Sequence, residues 1–397
     1  MMRLPLARCV SAALLLLASA CDPPPAPSPR PQSGELAALE GEVRAIIRRH
    51  AGDSALVSVA FRDMATGDSL LVDAHQPLHA ASTMKVPVML ELFRRADAGE
   101  ISLADPVVVR NQFRSIADGS TYALDPGDDS DSSLYRRLGE RVPVRELVER
   151  MITRSSNLAT NLLIDLAGPR RIGTTMAAIG AGEMHVLRGV EDGPAYRAGM
   201  NNTTSAYALM RVMEAVAGAR AASPAASREM VDVLGRQHFR QMIPAGVPPG
   251  VRTANKTGDI TRIAHDAAIV FPPDRAPYVL VVLTRGFATS ASAAPVAREV
   301  SAAVWRHVSA VAGRINSLQQ PHEVRLRGLL AAVRARLPST PQIPSDHSSP
   351  NCSGPVFRLG GSKAGGVPHD GGCTEGGSPR RRTSRSCCSD FNRPLRR

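Results

Sequence analysis

Apolar residues near both ends of the chain recur with the periods that are typical of helices and strands. A first helix, which Ser33 can cap, is predicted because apolar residues follow one another at intervals of one to four: Leu36, Leu39, Val43, Ile46 and Ile47. Two apolar runs come next, at 55–61 and 69–72, and turn-forming residues around Gly67 separate them. This pattern predicts a β-hairpin directly after the first helix.

The middle of the chain favours helices, and strands return after it. We predict a helix that begins at Ser82, mostly helical structure beyond it to about Leu234, and a helix end at Gly235. Strands are predicted at 251–257, 267–271 and 278–283. A last helix is predicted at 295–315, with one apolar face formed by Val296, Val300, Val304, Val308 and Val311.

Strands near both ends with helices between them predict a single domain of the α/β (α+β) class over residues 35–317. Both chain ends would contribute to one antiparallel sheet flanked by helices, and the middle would form an inserted all-helical lobe. The length of 397 residues and the apolar content of 43% are sufficient for such a core.

The charge of the chain is unevenly distributed. The formal net charge is +12, and much of the excess lies in residues 318–397, which are rich in Arg, Gly, Ser and Pro. The body has no basic face interleaved with aromatic residues, so nucleic-acid binding is not predicted. A helix over residues 318–337 stays open, and the tail beyond it is predicted to be disordered. It is either an unselected extension or a segment that binds an anionic surface.

The N-terminus indicates export. A basic start precedes an apolar run, 9–17, that is too short to span a bilayer. The run leads into Ala18-Ser19-Ala20-Cys21, which resembles a bacterial lipoprotein cleavage box. We predict a signal peptide over 1–20, a Pro-rich linker over 21–34 and a periplasmic or other extracytoplasmic location. Lipidation of Cys21 would attach the protein to the membrane, whereas ordinary signal-peptidase cleavage near the same point would not.

Cysteine and histidine usage argues against thiol and metal chemistry in the body. Residues 33–317 contain no cysteine, so no disulfide is predicted there. The histidines have no metal-ligand spacing. No metal and no cofactor is predicted.

Lysine is scarce in this chain. It has 45 arginines but only three lysines, Lys85, Lys256 and Lys363. An arginine stays protonated, whereas a lysine amine can lose its proton and act as a base. Lys85 closes Ser82-Thr83-Met84-Lys85 at a predicted helix start, where both ends of the motif project from one face. Ser82 is therefore a candidate nucleophile and Lys85 its base, although such a motif also occurs by chance.

Two further motifs lie later in the chain. Ser155-Ser156-Asn157 lies in a break between helical stretches at 145–152 and 158–166, where a helix N-cap is the alternative interpretation. Lys256-Thr257-Gly258 lies on a predicted strand, and the alternative there is an exposed strand end that bends at Gly258. The order of the three motifs and their predicted surroundings favour one common site.

Together these motifs resemble those of the penicillin-recognising serine enzymes, the class A β-lactamases and penicillin-binding proteins. The resemblance covers roughly residues 35–314. It implies that Ser82 attacks the lactam carbonyl and becomes acylated, while Lys85 takes part in removing its proton. It also implies that Ser155 relays a proton to the leaving nitrogen.

The same resemblance implies how a substrate is held. Asn157 would bind the side-chain amide, and Lys256 with Thr257 would bind the carboxylate. Gly258 and Asp259 would border the substrate on the same strand. The backbone N–H groups of Ser82 and Asp259 would form the oxyanion hole.

The chain departs from the family where the deacylating base is expected. Class A enzymes carry E-x-x-L-N in this loop, and the Glu activates the hydrolytic water. Here Glu191 lies near the place of that Glu, in a loop about two residues shorter, and Ala195 stands where the Asn would be. Asp192 is a competing carboxylate, and a third interpretation is that both carboxylates cap a loop.

Smaller departures concern neighbouring positions. Ser156 replaces the usual Asp of S-D-N, and an insertion that includes 125–129 precedes it. No arginine is plainly aligned on the strand after the third motif, where Arg262 and His265 are the nearest basic residues.

Three functions remain open from the sequence. The first is a class A-like serine β-lactamase that turns over a small β-lactam, acts as a monomer and confers antibiotic resistance. The second is a penicillin-binding DD-peptidase acting on peptidoglycan peptides. The third is a β-lactam receptor that is acylated and does not turn over.

Overall fold

A computed structural model describes residues 34–52 and 54–336, with side chains up to residue 313. The predicted signal peptide, Cys21, the cap at Ser33 and residues 337–397 lie outside the described residues. The chain divides into two units, Met1–Ala332 and Val333–Arg397, and all parts of the sheet and of the site belong to the first.

The described helices begin and end close to the capping signals in the sequence. Serine side chains cap three of them, at Ser156, Ser205 and Ser223. The α-helices are α1 Gly34–Ala51, α2 Lys85–Asp97, α3 Val144–Thr153, α4 Asn157–Ala167, α5 Pro169–Ala178, α6 Gly193–Arg197, α7 Ala206–Ala217, α8 Pro224–Gly235 and α9 Ser290–Arg336. Among the described residues, no helix has both the length and the apolar character that a bilayer crossing requires.

Strands lie near both ends of the described chain, and short ones lie in the middle. They are β1 Leu56–Asp63, β2 Ser69–Val72, β3 Leu78–His79, β4 Pro106–Val108, β5 Phe113–Arg114, β6 Thr121–Tyr122, β7 Arg141–Pro143, β8 Thr203–Thr204, β9 Arg252–Ile260, β10 Ile263–Phe271 and β11 Tyr278–Arg285. Five of them form the main sheet, in the order β2-β1-β11-β10-β9 with antiparallel pairing. The predicted fold is confirmed: both chain ends build one sheet.

The sheet separates two apolar cores. In β11, Val279, Val281 and Leu283 face the helical lobe, whereas Leu280 and Val282 face the layer formed by α1 and α9. Successive strand residues point to opposite faces, so a strand buried on both faces is apolar throughout. The predicted apolar faces of the two terminal helices lie in the second core: Leu36, Leu39, Val43 and Ile46 from α1, and Val296, Val300, Val304 and Val308 from α9.

The prediction of mostly helical structure between Ser82 and Leu234 is wrong for residues 98–143. That segment holds the short strands β4 to β7 and a 3₁₀ helix, Ser132–Arg137. Gly99, Gly119 and Gly139 adopt positive φ there, which interrupts helical backbone. The segment borders the candidate site. The alternative interpretation of the third motif, an exposed strand end that bends at Gly258, does not hold, since β9 continues to Ile260.

Candidate active site

Ser82 lies on a short 3₁₀ helix, Ala81–Met84, that connects β3 to α2. The predicted helix start is corrected by one turn: the α-helix begins at Lys85. Ala81 has a φ of +46°, a left-handed conformation that is unfavourable for a residue with a Cβ atom. His79 Nδ1 accepts a hydrogen bond from Ala81 N at 3.0 Å, which helps to hold this turn.

The strand β9 lies directly against the same turn. A Cβ atom added to Gly258 would lie 3.1 Å from Ser82 N and 3.1 Å from Ala81 Cβ. Only glycine permits this approach without displacement, because real Cβ contacts are rarely so short. Gly258 thus lets the third motif lie beside Ser82, the candidate nucleophile of the first motif.

Both buried lysines donate to one serine. Lys85 Nζ donates to Ser155 O at 2.7 Å, to Ser155 Oγ at 3.1 Å and to Asn157 Oδ1 at 2.9 Å. Lys256 Nζ donates to Ser155 Oγ at 3.1 Å and to Thr257 O at 2.8 Å. The three sequence motifs therefore meet at the Ser155 hydroxyl.

Burial lowers the proton affinity of both lysine amines relative to water. Burial lowers the pKa of Lys85 to about 7, against the raising effect of the Asp129 and Glu191 carboxylates. Burial also lowers the pKa of Lys256 well below its ordinary value, and Lys85 adds to the effect while Asp266 opposes it. A neutral fraction of Lys85 is thus available near neutral pH to accept a proton.

Glu191 reaches the site from the loop before α6. Its Oε1 accepts a hydrogen bond from Asn157 Nδ2 at 3.3 Å, and its Oε2 accepts one from Asp125 N at 3.2 Å. Burial raises the pKa of Glu191; these two hydrogen bonds oppose the shift and nearby aspartates reinforce it. Asn161 fixes the preceding residue: its Oδ1 accepts from Val190 N at 2.6 Å and its Nδ2 donates to Val190 O at 3.1 Å.

Asp192, the competing carboxylate, has a structural role in this loop. It is buried, and its Oδ1 accepts from Ala195 N at 3.1 Å, which caps α6. Its Oδ2 accepts from Ile116 N at 3.0 Å. The interpretation as a loop cap therefore fits Asp192, whereas Glu191 faces the site. Ala195 is fully buried in α6 and offers no side-chain amide.

One cavity of ≈ 770 Å³ collects the predicted residues. Its lining includes seven of the nine candidates: Ser82, Ser155, Asn157, Glu191, Thr257, Gly258 and Asp259. The other two, Lys85 and Lys256, are buried behind this wall and contact it through Ser155. Asp259 Oδ2 also accepts a hydrogen bond from Ser290 Oγ at the start of α9. The structure thus brings all nine candidates together.

Neither basic residue after the third motif offers a free cation to the cavity. His265 is buried, its Nδ1 accepts from Thr284 N at 3.1 Å, and its Nε2 donates to His79 O at 3.0 Å. Burial lowers the pKa of His265 to about 4, so the ring is neutral and supports the turn that carries Ser82. Arg262 donates to Gly286 O at 2.9 Å in an exposed turn.

Three residues that shape the site were not identified from the sequence. Asn161 holds Val190, as described, and Asn202 Oδ1 accepts from Leu187 N and Arg188 N at the start of the same loop. Asp129 binds the N-terminus of α4. Each acts through backbone groups distant in sequence, so no local spacing could indicate it.

Comparisons with known proteins support the fold and identify a family. A sequence profile described as the beta-lactamase enzyme family matches residues 38–308. The chain is 30% identical to a beta-lactamase of Streptomyces fradiae over 295 residues, which cover 72% of this chain and 90% of that protein. The structure of PBP-A is 24% identical with a TM-score of 0.59, and the match covers 69% of this chain and 97% of that one. An ancestral class A beta-lactamase structure is 24% identical with a TM-score of 0.57, and the match covers 67% of this chain and 98% of that one.

Proposed function

The chain belongs to the beta-lactamase enzyme family and is a serine hydrolase, and we propose that it hydrolyses the β-lactam amide bond through an acyl-enzyme on Ser82. One observation carries the proposal. Lys85 and Lys256 both donate hydrogen bonds to Ser155 Oγ, in the wall of the cavity that Ser82 lines. This arrangement supplies a nucleophile, a buried base and a proton relay within one wall.

In the proposed acylation, neutral Lys85 takes the proton of Ser82 Oγ as that oxygen bonds to the lactam carbonyl carbon. The negative charge on the carbonyl oxygen is stabilised by the N–H groups of Ser82 and Asp259. The C–N bond then breaks, and the nitrogen leaves with a proton from Ser155 Oγ. Lys85, which donates to Ser155 Oγ at 3.1 Å, restores that proton. Thr257 and Lys256 hold the substrate carboxylate.

In the proposed deacylation, Glu191 takes a proton from water, and the water oxygen attacks the ester carbon. The ester bond to Ser82 Oγ breaks, and the proton that Glu191 took from water is passed to Ser82 Oγ, which restores both groups. Glu191 is supported in this role by its place in the cavity lining and by its hydrogen bonds to Asn157 and Asp125 N. Desolvation makes its carboxylate a stronger base.

One observation favours a second candidate, a DD-peptidase acting on peptidoglycan peptides. Ala195 leaves no side-chain amide beside Glu191 to help hold a hydrolytic water. An enzyme of this kind would use the same Ser82, Lys85 and Ser155 without a dedicated deacylating carboxylate.

The location and anchoring remain part of the proposal. We propose an extracytoplasmic protein that is cleaved before Cys21 and lipidated there. Mass measurement of the mature N-terminus tests this. A diacylglyceryl-modified Cys21 is expected, and an unmodified N-terminus elsewhere contradicts it.

The function is tested with the purified full-length protein and a chromogenic cephalosporin. Sustained turnover that Ser82→Ala abolishes is expected. In parallel, a peptide ending in D-Ala-D-Ala is assayed for release of D-alanine. Release of D-alanine without cephalosporin turnover would contradict the β-lactamase proposal and support the DD-peptidase. A single burst equal to the enzyme concentration would identify a receptor instead.

A further inference from the structure

The N-terminus of α4 is fully capped, and half of the cap comes from a distant segment. Ser156 N donates to Arg150 O at 3.2 Å, and Ala159 N donates to Ser156 Oγ at 3.3 Å. The two N–H groups between them, of Asn157 and Leu158, donate to Asp129 Oδ2 at 2.9 and 2.8 Å. A helix leaves four such groups without intrahelical partners. Here each of the four has one.

Asp129 is itself held rigidly. It is buried, with 8% of its surface exposed. Tyr135 Oη donates to its Oδ2 at 3.0 Å, and Asp131 N donates to its Oδ1 at 2.9 Å. With the two helix N–H groups, the carboxylate accepts four hydrogen bonds. A carboxylate that accepts four hydrogen bonds is held in one orientation and fixes the backbone groups that donate to it.

The residue that Asp129 binds is central to the site. Asn157 gives its backbone N–H to Asp129, while its side chain accepts from Lys85 Nζ at 2.9 Å and donates to Glu191 Oε1 at 3.3 Å. A shift of the first turn of α4 would therefore move contacts of both the acylating and the deacylating base. Ser155, immediately before this turn, would move with it.

We propose that Asp129 is a positioning residue, which fixes Asn157 and Ser155 against Lys85 through the N-terminus of α4. The effect on catalysis rests on the proposed function, whereas the effect on Lys85 itself does not. Asp129 belongs to the segment between α2 and α3, and it acts on the site through the backbone at the N-terminus of α4.

Asp129 also acts on Lys85 through its charge. The charged groups that face Lys85 are the Asp129 carboxylate, the Glu191 carboxylate and the Lys256 amine. A negative charge favours the protonated amine. Loss of the Asp129 charge is therefore expected to move the titration midpoint of Lys85 to lower pH.

The scarcity of lysine makes this measurable without any substrate. Full-length protein labelled with ¹³C at lysine Cε gives signals from only Lys85, Lys256 and Lys363. Single Lys→Arg variants assign them, and the Lys85 signal is followed against pH. The test variant is Asp129→Asn, which is nearly the same size and removes the charge. Asp118→Asn is the matched control, since Asp118 is exposed in the same segment between α2 and α3.

In Asp129→Asn, the Lys85 midpoint is expected to fall and the acylation rate constant to drop roughly 10- to 100-fold, as misplacement of reacting groups produces. Both should be unchanged in Asp118→Asn. Ser156→Ala separates the effect of losing a helix cap from the effect of losing the Asp129 charge. It removes the hydrogen bond to Ala159 N and should lower the melting temperature, while the titration midpoint of Lys85 should be unchanged.

An unchanged Lys85 midpoint and acylation rate in folded Asp129→Asn overturn the proposal. If that variant does not fold, Tyr135→Phe provides the test, because it removes one of the bonds that fix Asp129 and should also slow acylation. An unchanged rate there overturns the positioning role. A wild-type protein that reacts with no β-lactam refutes the proposed function, and the Lys85 titration still decides the charge effect.

Discussion

Lys85 Nζ and Lys256 Nζ lie at the same distance, 3.1 Å, from Ser155 Oγ. Two protonated amines so close together in a buried site would repel each other, so the arrangement favours a neutral form of at least one. The chain uses arginine almost everywhere else for positive charge. Its two described lysines lie where a proton can be lost or where a compact cation fits.

Lys85→Arg is expected to abolish acylation. A guanidinium stays protonated at any working pH, so it cannot take the Ser82 proton, and loss of a general base slows a reaction by roughly 100- to 10,000-fold. Intact-mass measurement after incubation with a β-lactam would show no adduct. Lys363→Arg makes the same replacement outside the three motifs and should react normally. Acylation of folded Lys85→Arg at the normal rate would rule out the role of Lys85 as base.

Lys256→Arg is expected to weaken turnover without ending it. In the proposed mechanism Lys256 mainly supplies positive charge to Ser155 and to the substrate carboxylate, and Arg keeps that charge with a larger group. We expect kcat/KM to fall about 10-fold, equivalent to about 1.4 kcal/mol. Lys256→Met, which removes the charge, should lose considerably more. Equal activity of the two variants would show that charge is not what Lys256 contributes.

Acylation is expected to accelerate with rising pH through about pH 7, because burial lowers the pKa of Lys85 to about 7 and only the neutral amine accepts a proton. Single-turnover acylation measured across this range gives the midpoint. A rate that is flat from pH 6 to pH 8 would contradict this assignment (roughly one pH unit on either side of the midpoint, where the neutral fraction changes most).

The same group should make folding more stable at alkaline pH. Between about pH 7 and the ordinary pKa of 10.5, the unfolded chain binds a proton at Lys85 that the folded protein has lost. Stability rises with pH wherever the unfolded state binds more protons. The free energy of unfolding should therefore increase over this interval, and the increase should be smaller in Lys85→Met. An identical slope in that variant would exclude Lys85 as a source.

Gly258→Ala is expected to impair acylation by displacing the nucleophile. The added Cβ would lie 3.1 Å from Ser82 N and 3.2 Å from Thr83 Cγ2. The neighbouring atoms must therefore shift by a few tenths of an ångström. Because a misplacement of about 1 Å in reacting groups costs roughly 100-fold in rate, we expect a smaller loss here, of roughly 10-fold. Gly173→Ala, in α5 with nothing within 4 Å of its Cβ, is the matched control and should be neutral or stabilise by about 0.5–1 kcal/mol. Normal acylation in Gly258→Ala would mean that β9 can move away without consequence.

The sequence was sufficient to predict the strands of the main sheet and the elements on which the three motifs lie. Apolar runs located β1, β2 and the strands after Gly235, because strands that are buried on both faces of a sheet are apolar throughout. The serine-rich break before Asn157 indicated the end of one helix and the start of the next, and the structure has α3 and α4 there. Local patterns determine such features.

Residues 98–143 could not be predicted in the same way. Their short strands pair over long distances, and Asp129 acts on a helix 28 residues later. Likewise, Glu191 and Asp192 are adjacent carboxylates that the sequence could not distinguish. The structure separates them because Asp192 caps α6 and Glu191 lines the cavity. Contacts of this kind depend on tertiary packing and have no local period.

The central claim is an acyl-enzyme on Ser82 that Glu191 helps to hydrolyse, and a time course of covalent labelling tests it most directly. Full-length wild type and Glu191→Ala are mixed with a β-lactam, quenched at intervals and mapped by mass spectrometry of their peptides. We predict an adduct on Ser82 in both proteins, transient in wild type and persisting roughly 100- to 10,000-fold longer in Glu191→Ala, as loss of a general base implies. An adduct on another residue, or one that decays equally fast in the two proteins, would contradict the claim.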